Sequence, residues 1–302
     1  MYNTPGKYAD DVNSDDPKVL SDFLDWALPQ CAPGAKYVLT MSGHGGGYQG
    51  FGGDETNGNH FMTNDGISSA IRGSLKKIDV VALDMLGFDA CQMGSYVVAS
   101  EYARGTPALA KMYLASEANE PNAGWAYDAI NWNSFTDSVE DYALSIVDTY
   151  AHDTLVLIRA DHFGTFSGHF QNLCSNMAEK LGAGDDNTFN IIQAARAECT
   201  SFLDSRVDVR DFLENLNKEC GDCEFMNLIH NASSSYTAMV APPYFATSVG
   251  EPYSGLALFF RTREEVKKSP GSDDEGWFPE RYADTSDAHI WDDFLVAYYE
   301  FN

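Results

Sequence analysis

Cys91 stands in LGFDACQMG, Leu86 to Gly94, where an apolar run ends and a thiol follows two residues after a carboxylate. A cysteine becomes a nucleophile when its thiolate is stabilised and a base takes its proton. His44, in SGHGGG from Ser42 to Gly47, ends another apolar run upstream and is the natural group to take and return that proton. The backbone N–H groups of Gly45 and Cys91 are then placed to hold the oxyanion of a tetrahedral intermediate, with glycine letting substrate approach the chain. Side chains alternate along a strand, so Asp89 and Cys91 should project the same way. A carboxylate there would repel the thiolate. Its better use is to pair with a cationic side chain of the substrate, for which an arginine fork is the best match.

These groups need a scaffold that brings them together. Ser14-Asp15-Asp16-Pro17 has the form of a helix start, and Val19, Leu20, Phe23, Leu24 and Ala27 follow at helical spacing to an end near Pro29. Lys36 to Ser42 reads as a strand that breaks into a mobile glycine-rich loop. Asp65 is expected to cap a second helix with Ile67, Ala70, Ile71 and Leu75 on one face. Asp79 to Asp84 and Leu86 to Phe88 read as a strand region, Gly94 to Arg104 as a helix that puts Cys91 near its positive end, and Tyr113 to Ser116 as another strand end. Strand, helix, strand, helix predicts an α/β fold with a parallel sheet, and reactive groups collect at the carboxyl ends of such strands. Beyond these lie amphipathic segments at Val139 to Tyr150 and Phe189 to Leu203, and short strands at Thr237 to Val240 and Gly255 to Arg261. A polar loop from Lys267 to Gly276 and a closing helix from Ile290 to Tyr299 complete the reading.

SGHGGG around His44, LGFDACQMG around Cys91 and ASEANEPNAGWAY from Ala115 to Tyr127 resemble the three core motifs of clostripain-like cysteine peptidases. The likeness extends to the DPKVLSDFLDWAL helix and, more weakly, to SGLALFF from Ser254 and the terminal DTSDAHIWDDFLVAYY. It implies a caspase-like three-layer α/β/α sandwich with a mostly parallel central sheet and a helical C-terminal elaboration. Residues 1–302 then form a single peptidase domain, with 1–130 as catalytic core and 131–302 as its C-terminal half. The implied activity is cysteine endopeptidase cleavage after Arg or Lys by a Cys91–His44 dyad without a required third acid. Asp89 matches the family's acid two positions before the nucleophile, which lines the pocket for the basic side chain. Ser116, Glu117 and Asn119 are the expected second wall. Peptide or protein substrates are implied as partners; no cofactor is required, and calcium enters by analogy alone. The resemblance favours secretion, although Met1 to Asp16 lacks the basic start and apolar centre of a signal peptide. Relatives begin with a buried strand that Met1 to Asp16 does not contain, which suggests a fragment with an exposed sheet edge. Self-processing between His44 and Cys91, as in zymogens, is not expected, because Gly45 to Gly66 holds no Lys or Arg.

Composition narrows the alternatives. At 302 residues, 44% hydrophobic, the chain can bury a large core. A formal charge of −26 makes nucleic acid and anionic membrane surfaces poor partners. No run approaches the roughly 18 apolar residues of a membrane-spanning helix.

Each sharper reading has a plainer rival. Cys31 and Cys174 read as small buried hydrophobes, and the plainer reading of Asp89 is a cap for the helix after Cys91. Gly45, Gly47 and Gly50 fit a dinucleotide pattern, but the loop-like FGGDETNGNHF that follows does not. Cys199, Cys220, Cys223 and His230 could hold zinc, with a disulfide or free thiols the better reading. Asp11, Asn13 and Asp15 mimic the start of a calcium loop but lack its glycine and closing glutamate. The rival from another class is a catalytically silent binding module on the same fold, against which intact His44 and Cys91 argue.

Overall fold

The computed structural model describes residues 12–58, 60–128, 130, 138–152, 154–203, 206–221, 223–247, 253–268 and 289–301. In chain order, α1 spans Pro17–Ala27, β1 Val38–Ser42, β2 Phe51–Gly52, β3 Phe61–Met62, α2 Asn64–Lys77, β4 Met85–Asp89, α3 Tyr96–Ala103 and β5 Met112–Ala115. The second half contains α4 (Val139–Thr149), β6 (Thr154–Arg159), α5 (Ala160–Gly182), α6 (Asp186–Glu198), β7 (Ser201–Phe202) and β8 (Arg206–Asp208). It continues with α7 (Val209–Cys220), α8 (Met226–Met239), β9 (Phe245–Thr247), β10 (Ala257–Phe259), α9 (Arg263–Lys268) and α10 (His289–Glu300).

The central sheet has the order β1-β4-β5-β6-β9. β1, β4 and β5 are parallel, β6 is reversed, and β9 is antiparallel to β6, so four of the five strands point the same way. This is the expected mostly parallel α/β sheet. Period-2 alternation splits its residues between two cores. Leu86, Phe88, Tyr113, Ala115, Val156 and Ile158 face one side with residues of α1, α2, α3 and α5. Met85, Met112, Leu114, Leu155 and Leu157 face the other, against Val139, Tyr142, Ala143 and Ile146 of α4 and Trp125. The result is three layers, helices on both faces of the sheet. A small sheet, β10-β8-β7, joins this body where Ser95 bridges Ala257.

The elements depart from the sequence expectation in several places. The α2 cap is Thr63, whose hydroxyl accepts from the Gly66 N–H at 3.1 Å, rather than Asp65. Asp79 to Asp84 precedes the strand, touching the sheet through a Leu83–Ala110 bridge and leaving Val81 exposed. Thr237 to Val240, read as a strand, is the end of α8. The longest helix, α5, has no counterpart in the sequence reading. Cys31 is exposed, against expectation, whereas Cys174 is buried. Lys267 and Lys268 belong to α9, and the rest of the expected polar loop lies outside the described residues. Among the described residues, β1 and β9 are the outer strands of the sheet.

Candidate active site

Parallel pairing brings the chain segments that carry His44 and Cys91 together. β1 and β4 run in register with Ser42 opposite Asp89, and the Gly43 N–H donates to the Asp89 carbonyl at 3.2 Å. Two residues on from that pair come His44 and Cys91. The Gly45 backbone packs so tightly on the Cys91 carbonyl that a Cβ on Gly45 would collide with it. Glycine is required there because the two chain segments touch directly. Among the described residues, neither the Gly45 nor the Cys91 N–H donates to another acceptor.

The surroundings of the thiol differ from the sequence expectation. α3 starts only at Tyr96, capped by the Ser95 hydroxyl, so Cys91 lies beyond the reach of a helix dipole that fades within one turn. Its support comes from the loop after β5 instead. The Glu120 N–H donates to Cys91 Sγ at 3.2 Å, and the Glu120 carbonyl lies 3.7 Å from the same sulfur. The Glu120 backbone thus holds the sulfur through both its N–H and its carbonyl. Gln92, at φ 64°, turns the chain sharply after the cysteine; its N–H donates to the Ala118 carbonyl at 2.8 Å and its side-chain amide to Asn119 Oδ1 at 3.0 Å.

Asp89 lies on the sheet face that carries Trp125, and it is 3% exposed. Its Oδ2 accepts from Tyr127 Oη at 2.8 Å, the Trp125 N–H at 3.2 Å and Ser42 Oγ at 3.2 Å. Its Oδ1 has no hydrogen-bond partner among the described residues. Burial, and then the Asp89 carboxylate it donates to, raise the Tyr127 phenol pKa and keep it a neutral donor. Gly124, at φ +66°, passes so close that a Cβ there would come 2.5 Å from Asp89 Oδ2. The helix-cap alternative for Asp89 fails, since Ser95 caps α3.

The expected second wall divides. Asn119 is exposed beside Gln92. Ser116 and Glu117 are fully buried: Ser116 Oγ closes a turn with the Ala118 N–H at 3.1 Å, and Glu117 is turned toward Ser254 and Gly255. The groups that do surround Asp89 are Ser42, Gly124, Trp125 and Tyr127. Three of them are in the GWAY end of the motif, where a glycine and two aromatics beside a conspicuous acid were the available signal.

The other constellations resolve simply. Cys220 and Cys223 are joined in a disulfide, so they do not offer thiolates to zinc. Gly47 opens only a single 3₁₀ turn, Gly47–Gln49, before β2, so no helix follows to cradle a pyrophosphate. Asp15 accepts the Gly53 and Asp54 N–H groups, and Asp11 lies outside the described residues. Among the described residues no group of three or more His, Cys, Asp or Glu could hold a metal ion.

The family model of the clostripain family matches residues 2–246. The chain belongs to the clostripain family. It is a cysteine-type peptidase, a hydrolase whose substrates are peptides or proteins, and peptidases of this family need no cofactor in general. Among solved structures it is similar to a secreted C11 cysteine protease from Bacteroides thetaiotaomicron in complex with an irreversible peptide inhibitor. That likeness has a TM-score of 0.61 at 15% identity and covers 94% of this chain and 80% of that one. An inactive zymogen C11 protease from Parabacteroides distasonis matches with a TM-score of 0.59 at 16% identity, covering 97% of this chain and 78% of that one. At these identities the likeness shows the fold, which is the caspase-like sandwich. No curated protein matches the chain. No helix among the described residues is long and apolar enough to cross a membrane.

Proposed function

We propose that this clostripain-family peptidase is an endopeptidase that cleaves after basic residues, Arg or Lys, through a Cys91–His44 dyad. His44 takes the Cys91 proton, the thiolate attacks the scissile carbonyl, and the oxyanion is held by the Gly45 and Cys91 N–H groups. The protonated His44 then delivers its proton to the leaving amine, and water, deprotonated by His44, hydrolyses the acyl-enzyme.

The observation that carries the specificity is the Asp89 carboxylate, buried two residues before the nucleophile with Oδ1 unpartnered among the described residues. An ionised carboxylate in that setting is costly unless a cation completes it. A guanidinium or ammonium arriving from the substrate completes it, while an acidic side chain would be repelled. Asn119 remains on the open side of the loop and is proposed to border the bound peptide. Secretion, which describes the Bacteroides relative, is carried to this chain as part of the proposal. The Cys220–Cys223 disulfide supports an oxidising compartment.

Release of a fluorophore from Arg-, Lys- and Asp-terminated peptides tests the reading, with Cys91→Ala as control. Cleavage after Arg or Lys that disappears in the variant is the expected result. Cleavage after Asp would remove the role given to Asp89, and absence of any cleavage would favour a silent module on the same fold.

A further inference from the structure

Behind the nucleophile lies a second pair of acids that the proposed chemistry does not use. Residues 116, 118 and 120 turn their backbones toward the cysteine segment: the Gly94 N–H donates to the Ser116 carbonyl at 2.6 Å, the Gln92 N–H to the Ala118 carbonyl at 2.8 Å, and the Glu120 N–H to Cys91 Sγ. Glu117, between them, sends its side chain the opposite way. Its Oε1 accepts the Ser254 N–H at 2.9 Å and the Gly255 N–H at 2.6 Å. The Ser254 N–H is shared, donating also to Asp208 Oδ2 at 2.7 Å, which puts the two carboxyl groups side by side. Asp208 is otherwise well supplied, by the Ser254 hydroxyl at 2.7 Å and the Asp211 N–H at 3.0 Å. Glu117 Oε2 has no hydrogen-bond partner among the described residues.

Two buried carboxylates that share one donor repel each other strongly when both are ionised, and a single proton between them resolves the clash. Burial first, and the Asp208 charge second, push Glu117 well above the usual carboxylate range, which makes Glu117 the member of the pair to carry that proton. The other titratable groups that feel the pair are Tyr236 from α8 and Cys199 at the end of α6. Burial raises both, Cys199 to about 12, so both are neutral there. The clasp is closed on its far side by the Ala257 N–H, which donates to the Gly94 carbonyl at 3.0 Å. Ser254 and Gly255 lie outside the residues matched by the family model.

We propose that Glu117 is a positioning residue: through a proton shared with Asp208 it fastens the loop that carries the Glu120 N–H to the 254–257 segment, and so fixes the donor that supports the Cys91 thiolate. This rests on Cys91 being the nucleophile. Losing the clasp lets the loop drift without touching substrate, so kcat falls and KM holds. Displacements of this size cost about 100-fold in rate. Ionising Glu117 at high pH has the same effect, because a second negative charge beside Asp208 opens the clasp.

The experiment compares wild type, Glu117→Gln and Glu117→Ala by kcat and KM on an Arg substrate across pH, and by the rate of iodoacetamide alkylation of the Cys91 peptide, read by mass spectrometry. Circular dichroism confirms folding. Glutamine keeps an acceptor for Ser254 and Gly255 and a permanent donor for Asp208. Glu117→Gln should therefore retain kcat and hold it to higher pH than wild type. Glu117→Ala should lose about 100-fold in kcat with KM unchanged, and its Cys91 should alkylate more slowly. A folded Glu117→Ala with wild-type kcat and alkylation overturns the proposal, as does a Glu117→Gln as impaired as alanine. If Glu117→Ala does not fold, the alkaline limb of Glu117→Gln decides: an unshifted limb overturns the role. If even wild type cleaves no peptide, the specificity reading fails, while the alkylation comparison still judges Glu117.

Discussion

Two buried acids stand near Cys91 in sequence or space, and the fold gives them different neighbours. Asp89, on the Trp125 face of the sheet, has three donors on one oxygen and none on the other among the described residues. Glu117, in the loop after β5, has two backbone N–H groups on one oxygen and none on the other among the described residues, with the Asp208 carboxylate beside it as the proposed sharer of a proton. Both are inaccessible to bulk water. Each keeps one oxygen unpartnered among the described residues, and what differs is the company: a hydroxyl, a phenol and a backbone N–H at Asp89, two backbone N–H groups and a second carboxylate at Glu117, so the first suits the proposed cationic ligand and the second the proposed clasp. A buried carboxylate close to a nucleophile is therefore not by itself a substrate contact, and its donors decide which kind it is.

The widest break in that comparison comes from removing what lies between the two acids. Cys91→Ala should abolish hydrolysis of every substrate while leaving the thermal midpoint close to wild type, since the residue is only partly buried; residual turnover in that variant would remove Cys91 from the mechanism. Next is Asp89→Asn, which keeps the shape and removes the charge. Truncating one partner of a buried charge pair costs about 2–5 kcal/mol, so kcat/KM for an Arg substrate should drop by roughly 30-fold or more.

Gly45→Ala should follow, because the added methyl meets the Cys91 carbonyl and forces His44 and Cys91 apart. Its steady-state kcat is expected to fall by about 10–100-fold, and an unchanged kcat would mean that the two segments are not held in contact.

The mildest effect on activity is expected at a third buried acid far from the pocket. Asp292 of α10 has neither oxygen partnered among the described residues, and burial raises its pKa to about 8. The folded state thus keeps a proton that the unfolded chain releases above its ordinary pKa of 3.8, so stability falls as pH rises from about 4 to about 8 and then levels. Asp292→Asn should leave kcat unchanged and raise stability at pH 8 by on the order of a few kcal/mol, with no gain at pH 4, as read from urea midpoints. Equal gains at both pH values would show that Asp292 does not carry a proton into the fold.

The legible part of this protein was the part where local rules and tertiary structure agree. Asp16-Pro17 and the apolar face behind it gave α1, and the run into Ser42 and the run into Asp89 gave the two parallel strands whose ends carry His44 and Cys91. The rest was hidden for separate physical reasons. Thr237 to Val240 is a short apolar run, a form that periodicity cannot assign between strand and helix. Val80 and Val81 have strand propensity but precede the ladder, which starts only at Met85, so tertiary pairing overrode propensity. In α5, Gly164 and Gly168 obscure a helical stripe that Phe163, Phe166, Phe170, Leu173, Met177 and Leu181 do form. That ASEANEPNAGWAY meets Ser254 and Gly255 at one end and Asp89 at the other was not available from sequence, because those partners come from distant elements.

The most direct measurement is the preference for an arginine substrate over the same peptide with citrulline, its neutral isostere, in wild type and in Asp89→Asn. If Asp89 reads the positive charge, wild type should prefer arginine by roughly 30-fold or more in kcat/KM, and the preference should collapse in Asp89→Asn. An arginine preference that survives intact in Asp89→Asn would contradict the assignment of Asp89 as the residue that reads the basic side chain.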